Sequence, residues 1–392
     1  MIKTYFVAPR FKGPPGQEDM PWLLSLAPVT TSRAVKIAML VDYSPEDVEF
    51  RAMLSELRRD LKRLAGAGSA HECLLLPGTT GFAMEAVLTA LGPQKRKKTL
   101  VICNGRDGEQ AATILTRLER PVTRLSKPDN GLVTVEDVTA ALDADHDISH
   151  VWLSHCESGS GLINMVGEIG KLVKDKQKTF MVDASNGFGA LPLDVVGDSI
   201  DVMVAAPDTC LEGVPGFAIV MAKRDLLISA EGKTHSVAFD LHAHWKEQEG
   251  VGVMQAPPPA HAVAALRQSL RELEAEGGIG MRRARYQRNS EELITRMKAM
   301  GFTPFLPETE AGPIVQAFLA PRDKRFDFEA FREGLRQRGF LIAGGTLSSQ
   351  KSFRIASVGG IDHKVIKGLA AAVEEVLKEL DVQEFTPLEA TA

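Results

Sequence analysis

The sequence predicts an α/β protein: a large unit built on a mainly parallel sheet, followed by a smaller α+β unit. Three observations carry this. Short, nearly continuous apolar runs recur at 73–76, 99–103, 151–155, 180–182, 202–205 and 218–222. Amphipathic segments such as 82–92, 134–143 and 166–176 separate several of them. After about residue 250 the texture changes to long helical stretches with a few short strand-like runs. Apolar strands alternating with helices call for a sheet covered on both faces.

The elements follow in order. Residues 1–21 are rich in Pro and Gly and read as an arm. Thr30-Thr31-Ser32 can cap a helix beginning near Ala34. A second helix over 46–66 places Phe50, Leu54, Leu57, Leu61 and Leu64 at helical spacing. The sheet segments then run to about 222. Ala256-Pro257-Pro258-Pro259 breaks the chain before a long helix at 260–276 and another after Gly280. Strands are expected at 315–319, 340–343 and 353–355. Asp327 can cap a helix that turns Phe328, Phe331 and Leu335 inward. The expected organisation is an arm at 1–21, a large domain at 22–260, a small domain with its linking helix at 261–380, and a frayed tail at 381–392.

Composition excludes several classes. The 392 residues are 44% hydrophobic and 25% charged, ordinary for a globular chain of two domains. The net charge is -5, and no basic tract is interleaved with aromatics, so nucleic acid is not an expected partner. The run Lys95-Arg96-Lys97-Lys98 reads as a solvated turn before a strand. The four cysteines, Cys73, Cys103, Cys156 and Cys210, form no CxxC pair and lie in or beside apolar runs, which points to a reducing compartment. The N-terminus lacks the apolar core of a secretory signal, and no apolar run approaches the length of a membrane span. A cytoplasmic protein without a membrane partner is expected.

Ligands of open α/β sheets bind at the carboxyl ends of the strands, so the residues just past each run are the place to look for chemistry. Several of those ends resemble one family. Cys210-Leu211-Glu212-Gly213-Val214-Pro215-Gly216-Phe217 resembles the CLEGVPGF segment of 2-aminoethylphosphonate–pyruvate transaminases, which are class V aminotransferases. His155-Cys156-Glu157 with Gly161-Leu162-Ile163-Asn164, Val182-Asp183-Ala184 with Phe188-Gly189-Ala190, Phe239-Asp240-Leu241 with Trp245, and Phe353-Arg354-Ile355 resemble further segments. The resemblance spans about 22–380. It implies a fold-type-I pyridoxal phosphate (PLP) transferase fold, with a seven-stranded, mainly parallel sheet, a small C-terminal α+β domain, and a homodimer with the active site at the interface.

The resemblance also assigns positions. Asp183 matches the aspartate that pairs with the pyridine nitrogen, and Arg354 the arginine that grips a substrate's acid group. Other positions depart from the pattern. Thr209 stands in the column of the Schiff-base lysine, and a hydroxyl forms no imine. The phosphate turn reads Gly78-Thr79-Thr80-Gly81 where the family has Gly-Ser-Gly-Thr. The ring-stacking segment, NGAYGER or NGLWGDR in the family, reads Asn104-Gly105-Arg106-Asp107-Gly108-Glu109-Gln110. Ala260 replaces a phosphate-binding threonine, Ser158-Gly159 a threonine pair, and Thr346 the lysine of a PGK turn.

These departures lead to an expectation of PLP-independent chemistry, with no cofactor, or PLP held only non-covalently, and no metal. The substrate would be a small amino acid, keto acid or phosphonate-like acid in a biosynthetic setting. His155, Asp183, Asp208, Thr209 and Cys210 are the candidate catalytic residues. Arg354, Thr79, Thr80, Asp107, Glu157 and Asn186 are the candidate substrate contacts, and Asp183 is the ancestral cofactor position. Two alternatives stay open: a PLP-dependent transaminase-like enzyme with the cofactor bound non-covalently, and a non-catalytic subunit that pairs with an active homologue.

Overall fold

The computed structural model describes residues 12–14, 18–94, 96–250, 252–254 and 257–387. Most of the expected arm at 1–21 and residues 388–392 of the tail lie outside them. The chain opens with a two-residue strand, β1 (Trp22–Leu23), then helices α1 (Arg33–Ala38) and α2 (Val48–Leu64). Ser32 caps α1 by accepting from the Val35 N–H, and Asp47 caps α2 through the Glu49 N–H. The buried side of α2 is formed by Phe50, Met53, Leu54, Leu57 and Leu61, close to the face its spacing predicts.

The large unit alternates as the apolar runs indicate. In order come β2 (His71–Gly78), α3 (Thr80–Ala90), β3 (Lys98–Cys103), α4 (Arg106–Arg117), β4 (Val122–Ser126), α5 (Val135–Ala144), β5 (Ile148–Ser154), α6 (Val166–Asp175), β6 (Thr179–Asp183), β7 (Val202–Ala205), β8 (Gly216–Lys223), α7 (Arg224–Ser229) and α8 (Leu241–Gly250). The seven strands form one sheet in the order β2-β8-β7-β6-β5-β3-β4. All pairs are parallel except those of β8, which runs antiparallel to both neighbours. The fold-type-I architecture is therefore present. Successive side chains of one strand enter opposite cores: Val151 and Leu153 pack on one face and Trp152 on the other, as do Phe180 and Val182 against Met181. This two-sided burial is why the strands read as continuous apolar runs.

A second group of elements follows Pro259: α9 (Ala260–Glu276), α10 (Ile279–Ala299), β9 (Val315–Leu319), α11 (Phe328–Gln337), β10 (Phe340–Leu341), β11 (Ala343–Gly344), β12 (Ser352–Ala356) and α12 (His363–Glu379). Strands β11, β12 and β9 form an antiparallel sheet, and Asp327 caps α11 through the Ala330 N–H. The run expected as one strand at 340–343 is split: β10 pairs in parallel with β1, while β11 pairs with β12. The chain's first strand thus belongs to the sheet system of its last third. Phe302, Phe318, Phe331 and Phe353 are buried together in this second core. No helix among the described residues is long and apolar enough to cross a membrane.

Candidate active site

The carboxyl ends of β3, β5 and β6 converge on three buried carboxylates. Past β3, Gly105 leads into α4. The Glu157 carboxylate, from the end of β5, reaches that helix N-terminus and accepts from Asp107 N (2.8 Å) and Gly108 N (3.1 Å). It thereby takes up the free N–H groups that a helix start presents. Gly105 permits the approach, since a Cβ there would lie 2.4 Å from Glu157 Oε2. Asp107 turns back toward the β5 loop. Its Oδ2 accepts from Ser158 N (2.7 Å) and Asn186 Nδ2 (2.9 Å), and its Oδ1 from Ser158 Oγ (2.8 Å). Asn186 also donates to Cys156 O (2.8 Å), tying the β6 end to the β5 end.

Asp183 closes β6. Its Oδ1 accepts from Ser185 N (2.9 Å) and from Ser185 Oγ, while among the described residues Oδ2 has no hydrogen-bond partner. Past β7, Thr209 is buried, and its hydroxyl donates to Ser185 O (2.6 Å). Thr209 therefore braces the Asp183–Ser185 turn from behind.

Burial governs the electrostatics. It raises the Asp183 pKa from 3.8 to about 6, with the nearby Asp107 charge adding to it. Burial raises Glu157 well above the ordinary carboxylate range, again reinforced by Asp107, and raises Asp107 against the pull of its Ser158 bonds. Negative charge in this pocket is costly until a cation arrives.

The other expected residues lie in distinct surroundings. His155 is fully enclosed: its Nδ1 has no partner among the described residues, and burial alone lowers its pKa to about 4. It is held neutral behind the strand end, where its backbone N–H serves Asp183 O (2.8 Å), and it makes no hydrogen bond to the acids. The Cys210 thiol donates to Asn186 O (3.2 Å), and burial pushes its pKa up, away from the reactive thiolate. Asp208 is half-buried, and that burial raises its pKa against a lowering pull from its own backbone N–H. Asp107, Glu157 and Asn186, expected as substrate contacts, spend their polar atoms on one another and on the loops. Thr79 is the N-cap of α3 without a side-chain cap bond, followed by Thr80. A Cβ on Gly81 would lie 3.5 Å from Gln110 Nε2 and 3.6 Å from Thr79 Oγ1, so an amide and a hydroxyl flank that helix N-terminus.

Arg354, on β12, comes to the same cleft. It donates from Nη1 to Ser158 O (2.6 Å) and from Nε to Gly344 O (3.0 Å). Among the described residues no group of three or more His, Cys, Asp or Glu side chains is placed to hold a metal ion.

The sequence reading missed a network below the site. Glu212, at φ 58, accepts from Arg285 Nη2 (2.7 Å) and Tyr286 Oη (2.5 Å). Arg282 donates to Cys210 O (3.0 Å) and Glu276 (2.7 Å), and Arg285 donates to Gly359 O (2.6 Å) and Ile361 O (3.0 Å). These bonds lock the loop after β7 to α10 and to the chain beyond β12. A guanidinium four residues before a tyrosine on a helix was the available signal.

Comparison with known proteins points to one group. The family described as "Aminotransferase class-V" matches residues 43–362. The chain belongs to the class V aminotransferase family. A 2-aminoethylphosphonate–pyruvate transaminase of Pseudomonas aeruginosa is 37% identical over 368 residues, 94% of this chain and 99% of its own. Its counterpart from Rhizobium meliloti is also 37% identical, over 94% and 96%. The crystal structure of ureidoglycine-glyoxylate aminotransferase from Bacillus subtilis superposes with a TM-score of 0.84 at 23% identity, covering 93% of this chain and 95% of that one.

These findings overturn the expectation of PLP-independent chemistry without a cofactor. That expectation weighed single positions, above all Thr209, over the whole chain. Most of the chain matches transaminases, and PLP is the cofactor the family reading calls for. The residues present fit two parts of that group. The unpartnered Oδ2 of buried Asp183 suits a protonated ring nitrogen, and the uncapped start of α3, with Thr79 and Gln110 beside it, suits a phosphate. Position 209 supplies a hydroxyl.

Proposed function

We propose that this protein is a PLP-dependent transaminase of the 2-aminoethylphosphonate–pyruvate type, exchanging an amino group between a small amino acid or aminophosphonate and a 2-keto acid. The observation that carries the reading is Asp183: a buried carboxylate at the end of β6, with one oxygen fixed by Ser185 and the other free. PLP, when bound, supplies an electron sink for the carbon that bears the amino group. The chain's own part is to hold a proton between Asp183 and the ring nitrogen, to seat the phosphate at the start of α3, and to fix the substrate's acid group on Arg354. Nη2 of Arg354, which bonds none of the described residues, is the arm for that contact, since Nε and Nη1 hold backbone carbonyls.

Titration with PLP tests this. A saturable change in the near-ultraviolet and visible spectrum, with a rise in melting temperature, is expected; no change at saturating PLP would reject the reading. Borohydride reduction followed by peptide mapping then identifies any amine that carries the cofactor, and Thr209 itself takes no label.

A homodimer is part of the same proposal. Its support is the exposed apolar stretch Ile37, Leu40, Val41 and Val48 between α1 and α2, unusual on a surface unless another chain covers it. Light scattering is expected to give the mass of two chains, and a mass of one chain would remove this part.

A further inference from the structure

The sharpest unexplained feature of the cleft is a pair of guanidiniums with no carboxylate bonded to either. Arg106 is the first residue of α4 and is exposed, with no hydrogen bond or ion pair to any described residue. A cation at a helix N-terminus opposes the helix dipole, so the position is mildly unfavourable for stability alone. Arg106 lies close enough to Arg354 for the two positive charges to repel, which works with burial to lower the Arg354 pKa. Asp107 is the nearby anion, but its oxygens are already taken by Ser158 and Asn186.

A third group faces the same spot. Thr346 Oγ1 is buried without a partner among the described residues. A Cβ placed on Gly159 would lie 3.1 Å from Thr346 Oγ1 and 4.0 Å from Arg106 Cβ, and Arg354 Nη1 holds the carbonyl of the preceding Ser158. Two guanidiniums and one idle hydroxyl therefore surround the 158–159 turn. A planar monocarboxylate carries one charge, which the Arg354 guanidinium balances through Nη2. A tetrahedral dianion has three oxygens and a second charge, which matches all three groups.

We propose that Arg106 is a specificity-determining residue: with Arg354 and Thr346 it forms a subsite for a tetrahedral, doubly charged acid group, so that phosphonates bind in preference to carboxylates of the same length. This rests on the transaminase reading only in taking the cleft as the substrate pocket.

Calorimetric titration of the full-length protein, with and without PLP, tests it using 2-aminoethylphosphonate and its carboxylate counterpart 3-aminopropanoate. The wild type is expected to bind the phosphonate about tenfold more tightly, the scale of one charge-assisted hydrogen bond. Arg106→Gln should bring that ratio close to one, weakening phosphonate binding far more than carboxylate binding, with the melting temperature unchanged, and Arg106→Lys should restore much of the preference. A wild type without preference, or a ratio unaltered in Arg106→Gln, overturns the proposal. The spectral titration with PLP is scored separately. A protein that binds PLP without acid-group preference loses this inference and keeps the transaminase reading, and the reverse result separates them the other way.

Discussion

Replacing Glu212 with alanine is expected to destabilise the protein by about 3–5 kcal/mol, the cost of removing one partner from a buried ion-pair network. Glu212, Arg282 and Tyr286 are 4%, 1% and 0% exposed. Without the carboxylate, the Tyr286 hydroxyl loses its acceptor, Arg285 loses one of two acidic partners, and Arg282 keeps only Glu276 and the Cys210 carbonyl. Glu212→Gln keeps an acceptor of the same shape and is expected to cost less than half as much. The backbone offers no compensation in Glu212→Ala, because alanine is no more at ease than glutamate at φ 58. Urea unfolding of the two variants beside the wild type checks the order. Equal, small losses for both would show that the network is worth little.

The second large effect falls on Asp183. The folded-state pKa is raised from 3.8 to about 6, so the native state binds a proton more readily than the unfolded state. Stability from this group is complete below about pH 4 and is lost as the pH rises through about 6. A shift of that size corresponds to a penalty on the order of 2–3 kcal/mol at neutral pH in the cofactor-free protein. Asp183→Asn keeps the oxygen that accepts from Ser185 and removes the charge. It is therefore expected to be more stable than the wild type at neutral pH without PLP, and equal to it near pH 4. With PLP the order should invert, because an amide cannot stabilise a protonated ring nitrogen. Denaturation midpoints at the two pH values, with and without PLP, read all four cases. The same pH slope in both proteins would show that Asp183 is not a buried charge waiting for a cation.

Most of the large sheet could be read directly because burial on both faces leaves strands such as β5 and β6 no polar alternation to obscure them. The strand outside the predicted runs, β4, explains itself. It lies at the sheet edge, is only partly buried, and reads Val-Thr-Arg-Leu-Ser, a mixture that resembles a loop. The candidate site was legible as a set of strand ends, while the hydrogen bonds among its side chains were not. Strand ends located Asp107, Glu157 and Asp183, but sequence cannot show that Asp107 and Glu157 consume each other's hydrogen-bonding capacity. It also cannot separate Arg282, almost wholly buried, from Arg283, exposed next to it: both look like a solvated helix face until Glu212, some 70 residues earlier, is placed beside the first. Arg106 escaped notice for the same reason. Thr209 is the opposite case: one position departs from the family pattern while the similarity that places the family runs over most of the chain.

The pairing of Trp22–Leu23 with Phe340–Leu341 has a consequence for how the molecule is made. During synthesis the first strand emerges long before its partner exists. The large sheet, complete by Lys223, can assemble while Trp22 and Leu23 wait unpaired, and the last third closes only after the ribosome has delivered residue 341. This is a loop closure across most of the polypeptide, among the slowest contacts a chain can make. Any shortening of the amino terminus past residue 21 would therefore be felt last and far away, as a carboxyl-terminal unit that fails to finish folding around an intact sheet.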